Sequence, residues 1–483
     1  MAALMSSLAL LSACGGGGGG AGSVVVGGNG SGGSGGGTTG VSPTPATCSL
    51  RDRQDWVAGQ IREWYLFPDL LPASLDPSPY ANIDDYVDAL TATARAQRRD
   101  RFFTYVTSIA EENAFFERGE SGGFGFRLAT DAAAREVLIS ETFEGTPALA
   151  AGIDRGTRIL AIGTTSANLR SVDQIIASEG SFGVTRAIGP DTPGLSRVFR
   201  IADANGTREV TLTKATYTLD PVSSRYGVRV IEDEGRRVGY VNLRTFIATA
   251  DPRLRQAFDS FRQQGISEVI LDFRYNGGGL ISTAELIGDL MGANRSPSDI
   301  FNTQRFRPEK AAANNRVRYF RPTAESIAPM RVAFIGTGST ASASELVINS
   351  FVPYLRERMA LVGTNTFGKP VGQIALDRPA CDDRLRVVAF DGINAENRGD
   401  YYNGLASTVP VTCQAADDLS RPLGDPAEAS TRRALDFLAG RSCSPIGATG
   451  QMSRTAAAGP ERRLELMTPE RPSTVQREVP GAF

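Results

Sequence analysis

Between Gly239 and Val362 short apolar runs alternate with amphipathic stretches, and this alternation restricts the largest part of the chain to an α/β core. Val241–Phe246, Val269–Phe273, Arg331–Ile335 and Ala360–Val362 read as buried strands. Pro252–Gln264 and Ser282–Met291, which separate them, read as amphipathic helices. Upstream the pattern differs. Trp56, Val57, Ile61, Trp64 and Tyr65 recur at helical spacing, as do Ile83, Tyr86, Val87 and Leu90, so residues 48–118 are expected to form a helical unit. Residues 119–218 switch to short alternating runs broken by Gly and Pro, which predicts a compact strand-rich module. A chain of 483 residues exceeds what one hydrophobic core supports. The expectation is therefore a multidomain α+β protein with its α/β core over residues 219–443. Residues 15–47, almost entirely Gly, Ser, Thr, Val and Pro, read as a tether with a reach of roughly 30 Å. Residues 444–483, rich in Pro, Arg, Glu, Thr and Ala without periodicity, read as a disordered tail.

The sequence contains no histidine. That excludes a Ser-His-Asp triad, a Cys-His dyad and an HExxH zinc site, each of which needs an imidazole. Acid–base chemistry near neutral pH must then come from Lys, Asp, Glu, Tyr or Cys, with a pKa moved by its surroundings. The 51 basic and 53 acidic residues nearly cancel, which argues against a nucleic-acid partner.

The apolar run over residues 2–13 is too short to span a bilayer and reads as a secretion signal. Leu11-Ser12-Ala13-Cys14 resembles the bacterial lipobox, although no Lys or Arg precedes it. That resemblance implies that Cys14 carries a lipid anchor and that the protein sits on the periplasmic side of the bacterial cell envelope. Export would place Cys48, Cys381, Cys413 and Cys443 in an oxidising compartment, where two disulfides can form in three pairings. The favoured pairing is Cys381 with Cys413, closing a local loop, and Cys48 with Cys443, joining the ends of the folded region.

Three segments of the α/β core each follow a predicted strand, where open sheets present functional loops. They are Leu271-Asp272-Phe273-Arg274-Tyr275-Asn276-Gly277-Gly278-Gly279, Gly338-Ser339-Thr340-Ala341-Ser342-Ala343-Ser344-Glu345 and Thr366-Phe367-Gly368-Lys369-Pro370-Val371-Gly372-Gln373. Ser342 opens a predicted helix, where unpaired amides and the dipole favour a developing negative charge. The same residues satisfy a Ser-x-x-Glu capping box, with Ser342 as N-cap and Glu345 three residues on. Lys369 can take a proton from a serine only if burial lowers its pKa from about 10.4, and the flanking Phe367 and Val371 are apolar enough to permit that. A solvated lysine is the other reading. Gln373 is placed to accept from the Lys369 amine, or is a surface amide. An oxyanion hole would combine the Ala343 amide with one from the Gly277–Gly279 turn, most naturally Gly278. The glycines lack the Gly-Lys-Ser/Thr ending of a phosphate loop, and no Gly-x-Ser-x-Gly elbow surrounds Ser342.

In this order the three segments resemble the C-terminal processing, or tail-specific, serine peptidases. The resemblance spans roughly residues 50–440 and implies a crotonase/ClpP-like catalytic fold, with Ser342 as nucleophile, Lys369 as base and Gln373 beyond it. It implies no metal or organic cofactor. Two departures stand out: Pro370 follows the lysine where a small flexible residue is usual, and Ala406-Ser407-Thr408-Val409-Pro410 replaces a Pro-Asp-containing strand. Gly123-Phe124-Gly125-Phe126 resembles the carboxylate-binding loop of PDZ domains, and Thr146–Ile153 followed by Arg155–Ile162 resembles the helix and strand that accompany it. Gly123, Phe124, Gly125 and Phe126 would then bind peptide C-termini, and the partners would be proteins or peptides with accessible C-terminal ends. The rival expectation is a lipid-tethered PDZ scaffold whose α/β body is catalytically silent.

Overall fold

The computed structural model describes residues 48–447 and 464–483. The Cys14 anchor, the signal and the Gly-rich tether of residues 15–47 lie outside the described residues, as do residues 448–463 of the expected tail. No helix among the described residues is long and apolar enough to cross a membrane.

A six-stranded sheet runs in the order 228–233, 236–242, 268–272, 331–336, 359–363, 412–414, antiparallel at the first pair and parallel thereafter. Its alternating side chains supply two cores. Val269, Leu271, Val332 and Phe334 pack with the helices Ala250–Gln263, Ile281–Leu290 and Ala343–Leu355. Ile270, Ala333 and Ile335 turn to the other face and meet Leu435 and Leu438 of the helix Ala429–Leu438. Covered on both faces, such strands read as continuous apolar runs, which is why the sequence located them. One boundary differs: the run expected at 241–246 is a strand over Arg236–Asn242. Phe246 instead donates its amide to the Gly278 carbonyl at 2.8 Å, outside that strand.

A second, five-stranded antiparallel sheet contains the hairpin Val371–Arg378 and Asp383–Ile393. The helices Leu50–Trp64 and Ile83–Leu90 pack Val57, Ile61, Tyr86 and Leu90 on its Leu385, Val387 and Val388. Their segment is not purely helical, because Tyr105–Ser108 pairs with Asp383–Arg386 as a strand. Residues 126–213 form the main sheet of the strand-rich module, joined by helices Val172–Glu179 and Ser181–Ile188 over a core of Phe124, Phe126, Ile139, Ile175 and Phe199.

Two expectations are corrected. The disulfides pair Cys48 with Cys381 and Cys413 with Cys443, not Cys381 with Cys413 and Cys48 with Cys443. Cys381 lies in the turn of the second sheet's hairpin, which the Leu50–Trp64 helix reaches, whereas Cys413 lies on an edge strand of the first sheet. The Cys48–Cys381 link closes a separation of 333 residues, so removing both thiols should cost about 2–4 kcal/mol of stability, read by denaturant unfolding under oxidising conditions.

The second correction concerns the tail. Residues 464–483 are ordered: Glu465–Leu466 pairs with Ala129–Thr130, Thr474–Glu478 is helical, and Met467, Val479 and Phe483 are buried. Weak composition hid this, because a few apolar anchors and a borrowed sheet edge replace an amphipathic pattern.

Candidate active site

The strand Arg331–Gly336 feeds a loop that reaches the helix Ala343–Leu355 through Ser342, whose backbone has φ +54° and ψ −114°. Such a conformation costs a non-glycine residue about 1–3 kcal/mol and persists only where neighbours enforce it. Here Ala341 N donates to Asn276 O at 3.0 Å and Ser342 N to Glu345 Oε2 at 3.1 Å. Glu345 is thus the partner that the capping-box reading required, while the serine stands at the positive end of a 13-residue helix.

Glu345 does more than cap. Its Oε1 accepts from Thr366 Oγ1 at 2.6 Å and Gly368 N at 2.7 Å, and its Oε2 accepts from Lys369 N at 2.7 Å. A single carboxylate oxygen therefore holds the backbone amides of both Ser342 and Lys369, which makes the two residues neighbours despite their sequence separation. The carboxylate is fully buried, and burial raises its pKa.

Lys369 Nζ donates to Gln373 Oε1 at 2.9 Å and lies 4.9 Å from the centre of the Phe103 ring. Gln373 is held from its other end by a hydrogen bond from Nε2 to Phe103 O. Burial pushes the Lys369 amine below the ordinary lysine range, and the Glu478 carboxylate opposes that shift. Among the described residues Nζ is hydrogen-bonded to Gln373 and not to Ser342 Oγ. Lys369, Gly277, Ala341 and Glu478 line one cleft of about 1040 Å³.

The glycine turn lies against the serine as expected, with one reassignment. A Cβ on Gly278 would come within 2.7 Å of Ser342 Cβ and 3.1 Å of Ala343 N, so the turn touches both the serine and the first amide of the helix. The Gly278 N–H, however, donates to Asn276 Oδ1 at 2.9 Å. The neighbouring Gly277 N–H instead binds a peptide carbonyl, Glu478 O, at 3.0 Å. Gly278 serves by its lack of a side chain: Gly278→Ala, at φ +118°, should cost about 1–3 kcal/mol and displace Ser342, checked by thermal unfolding and turnover together.

The Gly123–Phe126 loop is distant in sequence and ends in a sheet edge that accepts an extra strand. Gly125 N donates to Phe483 O at 2.9 Å and Phe126 N to the same oxygen at 3.4 Å, while Phe483 N returns to Phe126 O at 3.0 Å. Gly123 carries no side chain that would collide with the Phe483 carbonyl, to which a Cβ would approach within 2.5 Å. Nothing in the sequence marks Arg127, which is buried in the next position. It meets Glu141 Oε2 at 3.2 Å and donates to Tyr275 O at 2.8 Å and Pro480 O at 2.6 Å, joining this sheet to the start of the glycine turn.

Two segments of the chain, the one that carries the strained serine and half-buried lysine and the peptide-edge module before it, match family models. Residues 237–394 match peptidase family S41 and residues 114–181 match the PDZ domain. The segment that matches peptidase family S41 follows the one that matches the PDZ domain. It is 29% identical over 253 residues to the carboxyl-terminal-processing protease of Synechocystis sp., covering 52% of this chain and 53% of that one. It is 24% identical over 281 residues to the carboxy-terminal processing protease of Bacillus subtilis, covering 57% and 53%. The chain thus spans about half the length of the curated relatives it matches. Among solved structures an S41-type protein of Bacteroides fragilis superposes with a TM-score of 0.61 at 23% identity, covering 80% of this chain and 97% of that one, which shows a shared fold.

Proposed function

We propose that this protein is a serine-type endopeptidase in which Ser342 is the nucleophile, Lys369 the general base and Gln373 the group that orients the lysine. The observation that supports the reading is the shared Glu345 oxygen, which holds the backbone amides of a strained serine and of a half-buried, Gln373-bonded lysine. The neutral amine takes the proton of Ser342 Oγ as that oxygen attacks the scissile carbonyl carbon. The resulting oxyanion is met by the Ala343 and Gly277 amides, the latter already holding a peptide carbonyl here. Collapse breaks the C–N bond, the lysine ammonium returns the proton to the leaving amine, and water then hydrolyses the Ser342 ester with Lys369 again as base.

Substrates in this reading are proteins or peptides whose C-terminal ends dock on Gly123, Phe124, Gly125 and Phe126 as an added strand. Cys14 would anchor the protein by lipid to the cell envelope. The two disulfides fit an oxidising compartment. A serine-directed fluorophosphonate should label the wild-type chain and not Ser342→Ala; equal labelling of both removes the reading, as does undiminished cleavage by Lys369→Ala. Metabolic labelling with a fatty acid, lost in Cys14→Ser, tests the anchor.

The pH dependence has a defined sign. The base acts when neutral, so activity rises as pH climbs through the lowered Lys369 pKa and falls below it. The charges acting on the amine are Glu478 and Asp100, which raise its pKa, and Arg477 and Arg386, which lower it. Glu478→Gln should therefore move the rising limb to lower pH in the pH profile of kcat/KM, which reports the free chain.

A further inference from the structure

Residues 464–483 lie where two ligands of the proposed peptidase would lie. Leu466 and Glu465 pair with Ala129 and Thr130, and Met467 N donates to Leu128 O at 3.0 Å. The chain then leaves the sheet, crosses the cleft, and returns to the same edge, where Leu128 N donates to Gly481 O at 2.8 Å and Ala482 bridges Arg127. Between these anchors the Thr474–Glu478 helix places Glu478 in the cleft beside Lys369 and lays its backbone carbonyl on the Gly277 amide. The Glu478 Oε2 atom is buried with no hydrogen-bond partner, an arrangement that costs stability where it stands.

The groove contact is chemically selective. The Phe483 ring is 2% exposed and joins the cluster of Phe124, Phe126, Val184, Ile188 and Phe199, while Ala482 and Gly481 lie along the strand edge. A Cβ on Gly481 would come within 2.9 Å of Arg127 Cγ and of Leu128 O, so this position favours a residue without a side chain. Gln476 reinforces the seat, its Nε2 donating to Asp191 Oδ2 at 2.7 Å and to Ala482 O at 3.1 Å.

We propose that residues 464–483 are a tethered competitor of substrate, filling the PDZ groove with the Gly481-Ala482-Phe483 segment and the cleft with Glu478. The groove's preferred ligand is therefore a peptide with an aromatic side chain at the Phe483 position, preceded by small residues. Tethering presents the segment at an effective concentration in the millimolar range, so a free peptide must outcompete it. The proposal rests on the peptidase reading only for its consequence in the cleft. Occupancy of the groove is tested without catalysis.

The test measures binding of a fluorescent peptide of residues 474–483 by anisotropy, using the full chain, Phe483→Asp in the full chain, and a chain ending at residue 463. The expected result is at least tenfold tighter binding by both variants than by the wild type, with binding abolished by a peptide carrying Asp for the phenylalanine. Equal affinity of wild type and Phe483→Asp overturns the proposal, as does absence of binding to both variants. Should the shorter chain fail to fold, the Phe483→Asp chain decides alone. A parallel cleavage assay separates the two readings. Tighter peptide binding with raised cleavage supports both, whereas tighter binding with no cleavage by any chain keeps the groove assignment and removes the peptidase. If wild-type affinity rises to the level of its variants on dilution, the segment is shared between copies and the tethered form is overturned.

Discussion

Ser342→Ala and Lys369→Ala will each lower peptide-bond cleavage by about four orders of magnitude or more, with the far-ultraviolet circular dichroism of the chain unchanged. The size follows from the absence of a substitute. With no histidine in the sequence, no imidazole can take the serine proton, and the proposed reading leaves that step to the Lys369 amine. In the proposed reading the two groups act on one proton, so the double variant should be no worse than either single one. Lys369→Arg should be as inactive as Lys369→Ala, since a guanidinium stays charged at any working pH and does not accept the proton. Turnover of an unfolded protein substrate, measured alongside active-site labelling, checks all four variants. Residual activity in Lys369→Ala within tenfold of wild type would show that some other group removes the proton.

The parts legible in the sequence are those written in short local segments. Ser342 and Glu345 lie at the start of the Ala343–Leu355 helix and Lys369 and Gln373 at the entry to the Val371–Arg378 strand, two short segments whose residues largely declare their own geometry, and the first sheet's strands are apolar on both faces. Gly123–Phe126 was legible for the same reason. What escaped was set by distant partners. Whether Gly277 or Gly278 faces the cleft depends on Asn276 Oδ1 turning back onto Gly278, a choice of side-chain rotamer. The disulfide pairing depends on which sheet the first helix covers, and Cys48 meets Cys381 only because that helix lies on the second sheet. Residues 464–483 have little apolar content, yet they order because the Phe126–Asp131 edge supplies backbone hydrogen bonds and the core of the strand-rich module supplies one pocket for Phe483. Arg127 looks in sequence like any charged strand residue. Its burial against Glu141 and the Tyr275 carbonyl becomes visible only once that module's sheet and the glycine turn are seen together.

Glu345 separates support from chemistry and gives the second large effect. Its two oxygens accept four donors: Thr366 Oγ1, Gly368 N, Lys369 N and Ser342 N. Glu345→Ala removes every one of these acceptors from a site with no exposed surface, and a loss of about 3–5 kcal/mol is expected, since each buried orphan donor costs about 1–3 kcal/mol and water recovers part of it. Glu345→Gln keeps the volume but turns an amide N–H₂ toward donors, so at least two of the four bonds are lost and the cost should fall between wild type and alanine. A purely structural role would leave turnover per folded molecule unchanged in the glutamine variant. The geometry predicts otherwise. The same oxygen that stabilises the loop fixes the separation of Ser342 and Lys369, and a displacement of about 1 Å between reacting groups costs roughly a hundredfold in rate. Glu345→Gln should accordingly lower kcat by about that factor, leave KM for a peptide substrate within threefold, and keep the pH midpoint of wild type, because Gln373 and the burial around Lys369 are untouched. A fall in folded fraction with kcat preserved would show that the two residues find each other without the shared carboxylate.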